Sequence, residues 1–200
     1  MNFFVRRYAL PAATLAFGLL TTWFPAANAR TVSMANPQQL IQRQAPAVFN
    51  RDVYNRLSPE NASVIVSLSR QRAYVMAGNE VAIDSPISSG KRAGMTPTGD
   101  FTVLQKDKDH HSTVYGNFVD FRGRTVRAGV SARIDSAPSG TRFEGAPMTY
   151  FMRITWEGVG LHVGILPGYP ASHGCIRLPF EVAQATFYKV KVGTPVRVVN

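Results

Sequence analysis

The chain has 200 residues, 22 Lys and Arg against 12 Asp and Glu, a formal net charge of +10, and a single cysteine. That length suffices to bury about one domain's core without metal or disulfide staples, and one cysteine excludes an internal disulfide. The positive balance steers the chain toward anionic polymers such as wall glycans and teichoic acids, or toward anionic headgroups. The basic residues are scattered, with no stripe of them on a helix and no recognition motif, so nucleic acid is not the expected partner.

Residues 1–29 have the three parts of an export signal: Arg6 and Arg7, an apolar run from Tyr8 to Phe24 broken by Pro11, and Ala27-Asn28-Ala29 at the expected cleavage point. Two of the 22 bases and none of the 12 acids lie there, so the remaining 171 residues carry +8. The mature chain is expected to begin at Arg30 and to hold no transmembrane span. The apolar run is at the short end of what crosses a bilayer, which leaves an uncleaved anchor as the alternative. No cysteine follows the cleavage point, which argues against a lipid anchor.

Residues 30–60 contain Pro37, Pro46 and Pro59, a patch of Gln38, Gln39, Gln42 and Gln44, and one short amphipathic stretch. This reads as an N-terminal extension or linker, a tether or a small packing arm, with the folded domain over 61–200. From there the pattern is β. Short apolar runs at Ala62–Leu68 and Ala73–Ala77, a Gly78-Asn79 turn and Glu80–Ile83 predict a hairpin or meander, and Phe101–Leu104 follows a Pro97-Thr98-Gly99 turn. Residues 107–147 are polar and glycine-rich without periodicity, as expected of a long functional loop, lid or insertion. Tyr150, Met152, Ile154 and Trp156 alternate with Phe151, Arg153 and Thr155, which predicts a strand with two unlike faces. One helix is predicted, with Pro179 first, Glu181 in its first turn, a stripe of Phe180, Ala183, Phe187 and Val190, and Gly193 beyond it. A last strand runs from Pro195 to Val199. The expected class is mainly β, a β-rich α+β domain with one C-terminal helix.

The chemistry concentrates in two runs, Leu161-His162-Val163-Gly164 and Ser172-His173-Gly174-Cys175-Ile176-Arg177-Leu178. A single cysteine is most often a small buried apolar residue. Here it stands two positions after one histidine and 13 after another, so it is also a candidate nucleophile with two candidate bases, His162 and His173. In an extended segment His173 and Cys175 leave on the same face, whereas His162 reaches across from the preceding strand. Gly174 allows close approach of a substrate, and the N–H groups of Gly174 and Cys175 are candidate oxyanion donors. The helix start just beyond the cysteine is expected to favour a thiolate. The planar fork of Arg177 suits a carboxylate, and Tyr115, Phe118, Phe121 and Tyr169 are candidates to shape a cleft. Asp107, Asp109, His110 and His111 match no zinc spacing and read as solvated, so no metal is expected.

The run from Ser172 to Leu178 with its upstream histidine resembles the signature of the L,D-transpeptidase catalytic domain, or YkuD domain. Pro86-Ile87-Ser88-Ser89-Gly90-Lys91, Thr96-Pro97-Thr98-Gly99-Asp100-Phe101 and Val192-Gly193-Thr194-Pro195-Val196 are similar to further family segments, and the resemblance covers about residues 62–199. It implies a mixed β-sandwich-like fold with the helix near the active site, in an exported enzyme of the bacterial periplasm or cell wall that needs no cofactor. By position, Cys175 is implied as nucleophile, His162 as general base and acid, Ser172, His173 and Gly174 as oxyanion or bracing residues, and Arg177 and Tyr169 as substrate contacts. The implied reaction attacks the carbonyl of the third stem residue of peptidoglycan, a diamino acid, and expels D-alanine. The thioester then passes to an amine of a second stem or to a wall-linked protein lysine, a role in wall biogenesis and cell shape that carbapenems would block. Water as acceptor would make the same chemistry an L,D-carboxypeptidase or amidase, and a non-catalytic wall-binding module is the alternative of another class. Family members have glycine directly after the upstream histidine and a longer gap to the cysteine run. Here Val163 intervenes before Gly164, which leaves open what orients His162.

Overall fold

The computed structural model describes residues 44–200. The export signal read at residues 1–29 and the glutamines at 38, 39 and 42 lie outside the described residues.

Strands β2 (Ala62–Ser67), β3 (Arg72–Ala77) and β4 (Glu80–Pro86) form the expected antiparallel meander, with the Gly78-Asn79 turn in place. The last strand, β13 (Pro195–Val199), lies parallel to β2, and β5 (Gly99–Thr102) pairs antiparallel with its other side. With β1 (Val48–Phe49) at the far edge, the sheet order is β1-β4-β3-β2-β13-β5. Register explains the alternation along β13. Val196 and Val198 sit opposite Val64 and Val66 and all four are buried, while the intervening Arg197 faces outward and pairs with Asp100 at 2.6 Å. A one-residue slip would expose both valines.

A second, mixed sheet has the order β12 (Ile176–Leu178), β11 (Gly160–Val163), β10 (Phe151–Arg153) and β6 (Gln105–Asp107). Its Met152, Leu161, Ile176 and Leu178 join Val64, Val66, Val75 and Ile83 of the first sheet in one core. Each fully buried aliphatic side chain there contributes about 1.5–3 kcal/mol. The sandwich-like β-rich fold is thus present, and the helix α2 (Phe180–Lys189) packs on the same core.

The predicted stripe on that helix is only partly right. Pro179 caps it, and Val182, Ala183, Thr186 and Val190 face inward, whereas Phe180 is 54% exposed. Phe180, Phe187 and Tyr188 instead set their rings 5.4–6.0 Å from that of Tyr150. Tyr150 itself has φ +57°, so the strand predicted over 150–156 begins only at Phe151. It ends at Arg153, and Trp156 lies 81% exposed in a turn closed by the Ile154 and Thr155 N–H groups on the Val159 carbonyl. The two unlike faces do not materialise, because Phe151 and Met152 are both buried and the ring of His110 stacks on Phe151 at 4.3 Å. His110 is therefore largely covered, with its Nδ1 on Asp107 at 3.0 Å, and is not the solvated residue the sequence implied.

Residues 107–147 are not a loop. They include β7 (His111–Val119), β8 (Thr125–Ser131) and β9 (Arg142–Pro147), an antiparallel sheet of order β8-β7-β9. Both faces are wet over much of its length, so no apolar alternation marks it in sequence. Gly116 and Gly145 are where strands approach closely: a Cβ on Gly116 would lie 2.0 Å from the Glu144 carbonyl oxygen.

Residues 44–60, read as tether or small packing arm, lie against the first sheet. The Asn50 side chain caps α1 (Arg51–Arg56) by accepting from the Val53 N–H, and Val53 and Leu57 enter the core. Two inward residues in a Pro- and Gln-rich stretch are too sparse a signal to read in sequence. We predict that Leu57→Ala lowers the unfolding free energy by about 2–5 kcal/mol, the cost of emptying a core site. Urea unfolding checks it, since a residue of a loose tether would cost under about 0.5 kcal/mol.

Candidate active site

The parallel pairing of β11 with β12 sets Leu161 opposite Ile176 and His162 opposite Arg177. Leu161 and Ile176 point into the core. Strand alternation then turns His162, Arg177 and Cys175, which immediately precedes β12, to the opposite face. Cys175 and His162 are offset by two residues across adjacent strands, about 8 Å between Cα atoms and within side-chain reach.

Each histidine is fixed by one hydrogen bond. His162 is buried, and its Nδ1 lies 2.7 Å from the Val163 carbonyl oxygen. A carbonyl only accepts, so Nδ1 carries the proton and Nε2 keeps the lone pair. The residue whose insertion left the orientation open thus supplies the acceptor. His173 has the reverse arrangement: its Nε2 lies 3.2 Å from Lys91 Nζ. An ammonium only donates, so the lone pair of His173 is already occupied. Its ring also stacks on Tyr115 of β7 at 4.2 Å, which brings the third sheet to the site.

The cysteine loop is held from below by small polar side chains. Ser172 Oγ donates to the Cys175 carbonyl and accepts the Gly174 N–H at 3.0 Å. Thr96 Oγ1 donates to the Gly174 carbonyl at 2.6 Å and accepts the Gly90 N–H at 2.8 Å. Gly174 has φ +141°, and a Cβ there would meet the Met95 carbonyl oxygen at 2.8 Å, so only glycine fits. Its N–H is taken by Ser172, which removes it from the oxyanion donors the sequence suggested and leaves Gly174 as part of the brace. Ser88 accepts the Ala171 N–H and donates to the Tyr169 carbonyl, and Ser89 donates its N–H to Gln71 Oε1. In the sequence Ser88, Ser89 and Thr96 stand only within segments that resemble the family, with no role at the site, and Gln71 is passed over. The signal was a run of small polar residues, Ser88-Ser89-Gly90, directly after the apolar Ile87.

Arg177 is half-buried and covers Gly164 with its stem; a Cβ on Gly164 would come 2.6 Å from Arg177 Cγ. No acidic side chain pairs with it among the described residues. Tyr169 is tied in through its backbone, with its ring 49% exposed. Of the other aromatics, Phe118 is buried against Phe143 in the third sheet and Phe121 is exposed beside Arg122, so neither is brought to Cys175.

The electrostatics differ from expectation. Cys175 is separated from α2 by all of β12, about 10 Å of chain, whereas the helix field fades within its first turn. Burial pushes the Cys175 thiol up, opposed by the Gly160 N–H and the charges of Arg177 and Arg153. The thiol faces the Gly158 carbonyl at 3.7 Å. Burial also lowers His162 to about 4, against its Val163 hydrogen bond and reinforced by the charges of Arg177 and His110. The resting pair is a neutral thiol and a neutral imidazole, with Arg177 and Arg153 near the thiol and Lys91 on His173.

The family model for the L,D-transpeptidase catalytic domain, YkuD, matches residues 61–198. The chain belongs to this family. The YkuD domain is 30% identical over 143 residues to L,D-transpeptidase 1 of Mycobacterium tuberculosis, covering 68% of this chain and 49% of that protein. In structure it resembles an L,D-transpeptidase from Mycobacterium smegmatis, with TM-score 0.52 and 26% identity over 70% of this chain and 59% of the other. It likewise resembles the LD transpeptidase LdtMt1 in complex with imipenem, with TM-score 0.52 and 27% identity over the same shares of the two chains. The chain spans about half the length of the curated relatives it matches. Among the described residues of the YkuD domain no helix is long and apolar enough to cross a membrane.

Two measurements check this electrostatic picture. Iodoacetamide modification of Cys175, the sole thiol, is expected to rise with pH at a midpoint above that of free cysteine run alongside. A midpoint below about 7 would mean a resting thiolate. Stability is expected to fall with acid. His162 stays neutral in the fold down to about 4 but takes up a proton near 6.5 when unfolded, so the unfolded chain binds more protons between those values. Unfolding free energy therefore drops as pH goes from about 6.5 to 4, by up to about 3 kcal/mol. Urea unfolding at pH 7 and 4.5 reads this, and His162→Gln should remove that part of the slope.

Proposed function

We propose that this chain is an exported peptidoglycan L,D-transpeptidase that works through a Cys175 thioester. The observation that carries the reading is the hydrogen bond from His162 Nδ1 to the Val163 carbonyl, which leaves Nε2 as a proton acceptor on the face that bears Cys175. Membership of the YkuD family supplies the reaction class. Residues 1–29 supply the route to the periplasm or wall, with residues 44–60 packed on a catalytic domain over 61–200.

In this reading, substrate entry displaces water, and the thiol proton passes from Sγ to His162 Nε2 as the sulfur attacks the carbonyl of the third stem residue. The new S–C bond forms a tetrahedral oxyanion. With the Gly174 N–H engaged by Ser172, the Cys175 N–H is the remaining loop donor for it. Collapse breaks the C–N bond to the terminal D-alanine, whose amine takes the proton back from His162. An amine of a second stem, or a lysine of a wall-linked protein, then attacks the thioester, giving its proton to His162 and releasing the thiol. Lys91, Arg153 and Arg177, none of which pairs with an acid among the described residues, suit a stem that carries several carboxylates, and Arg177 offers the planar fork. Ser172, His173 and Gly174 hold the loop rather than react.

Incubating the protein with disaccharide-tetrapeptides and following products by mass spectrometry tests the reading. Cross-linked dimers with loss of D-alanine are expected from the wild type and none from Cys175→Ala. Tripeptide alone would make the enzyme a carboxypeptidase, and no product from either protein would remove the transpeptidase reading. A carbapenem adduct, expected on the wild type, must be absent from Cys175→Ala.

A further inference from the structure

A groove that the reaction above does not use includes the chain neighbours of two residues that contact the cysteine loop. It is open, about 730 Å³, and lined by Pro97, Asp100, Phe101, Trp156, Glu157 and Arg197 among others. Its near end borders the reacting centre on two sides. Pro97 follows Thr96, whose hydroxyl holds Gly174, and Glu157 precedes Gly158, whose carbonyl faces Cys175 Sγ at 3.7 Å. We propose that this groove binds the N-acetylated amino sugar that carries the donor stem peptide, with the indole of Trp156 as its stacking platform. The proposal rests on the transpeptidase reading and names where the glycan end of that substrate sits.

Three observations favour a sugar. Trp156 is 81% exposed, on a turn closed by hydrogen bonds from the Ile154, Thr155 and Gly158 N–H groups. A large aromatic face presented on a fixed turn gives the apolar C–H face of a pyranose ring something to lie on, and an exposed indole has no packing role of its own. Charge separates the groove from the thiol cleft. Beside the thiol stand Arg153 and Arg177, with Lys91 on His173, which suits the carboxylates of the stem. In the groove Asp100 and Arg197 neutralise each other at 2.6 Å and Glu157 pairs with no base among the described residues. That wall is neutral to acidic, a poor place for a carboxylate and a good one for hydroxyl and acetamido groups, which both donate and accept.

Reach agrees. The attacked carbonyl belongs to the third residue from the sugar, and three extended residues span at most about 11 Å. Trp156 is two residues from Gly158, which places its Cα within about 13 Å of the sulfur. A stem with its third carbonyl at Cys175 therefore brings its sugar alongside the indole.

The test compares D-alanine release from a disaccharide-tetrapeptide and from the same tetrapeptide without sugar, in wild type, Trp156→Ala and Trp156→Phe. Trp156→Ala is expected to lower kcat/KM about tenfold on the disaccharide substrate, mainly through KM, and less than twofold on the bare peptide, with Trp156→Phe recovering most of the loss. An equal loss on both substrates, as for a groove holding peptide, overturns the proposal, and so does no loss on either. A binding arm works without turnover. Trp23 is the only other tryptophan, so in full-length Trp23→Phe the emission of Trp156 is read alone. Titration with N,N′-diacetylchitobiose should change it saturably, and no change or a non-saturating one sinks the sugar site. Wild type inert on both substrates would defeat the transpeptidase reading, and the titration would still decide the groove.

Discussion

Everything at the site follows from one pairing, the parallel register of β11 with β12. It drives Leu161 and Ile176 into the core, and that burial holds the two strands in the only register that keeps both residues dry. The same register turns Cys175 and His162 to one side of the ladder and leaves Arg177 beside them. The core and the reactive face are two sides of one constraint. A substitution that loosens the Leu161–Ile176 contact would disturb the chemistry without touching it.

Burial also governs how the site rests. A dry cleft disfavours charge on both partners, so the sulfur keeps its proton and the imidazole stays neutral despite the cations nearby. A neutral pair is chemically quiet toward small oxidants and electrophiles. In the proposed reaction, proton transfer then becomes an event that substrate triggers, when its own groups complete the solvation of the charges that form. The brace of Ser172, Thr96 and Gly174 makes this workable because it holds the loop through backbone bonds that do not titrate.

Much of this was legible in the sequence, and the failures have physical reasons. The strands of the first sheet are short apolar runs set off by turn residues, so Ala62–Ser67, Arg72–Ala77 and Pro195–Val199 announce themselves. The third sheet has two wet faces, and Gly116 and Gly145 serve close strand approach, so it looked like a loop. Trp156 counted as the end of an alternating strand although the chain turns before it. Only the family resemblance ranked the two histidines; the residues alone could not, because their roles depend on which nitrogen is already bonded, and the donor to His173, Lys91, lies 82 positions away. The expected thiolate failed because three residues of β12 intervene between Cys175 and the helix.

The position of β13 has a kinetic consequence. It lies between β2 and β5, so residues 195–199 fill a gap in the middle of the first sheet, and β2 meets its partner across more than 130 positions. Until that strand docks, β2 and β5 each present an unpaired edge and the sheet is two fragments. Contacts of such long sequence separation close slowly, because the loop entropy is lost before the burial is gained. Docking of residues 195–199 is therefore the step at which β5 joins the sheet and the burial of Val196 and Val198 is gained.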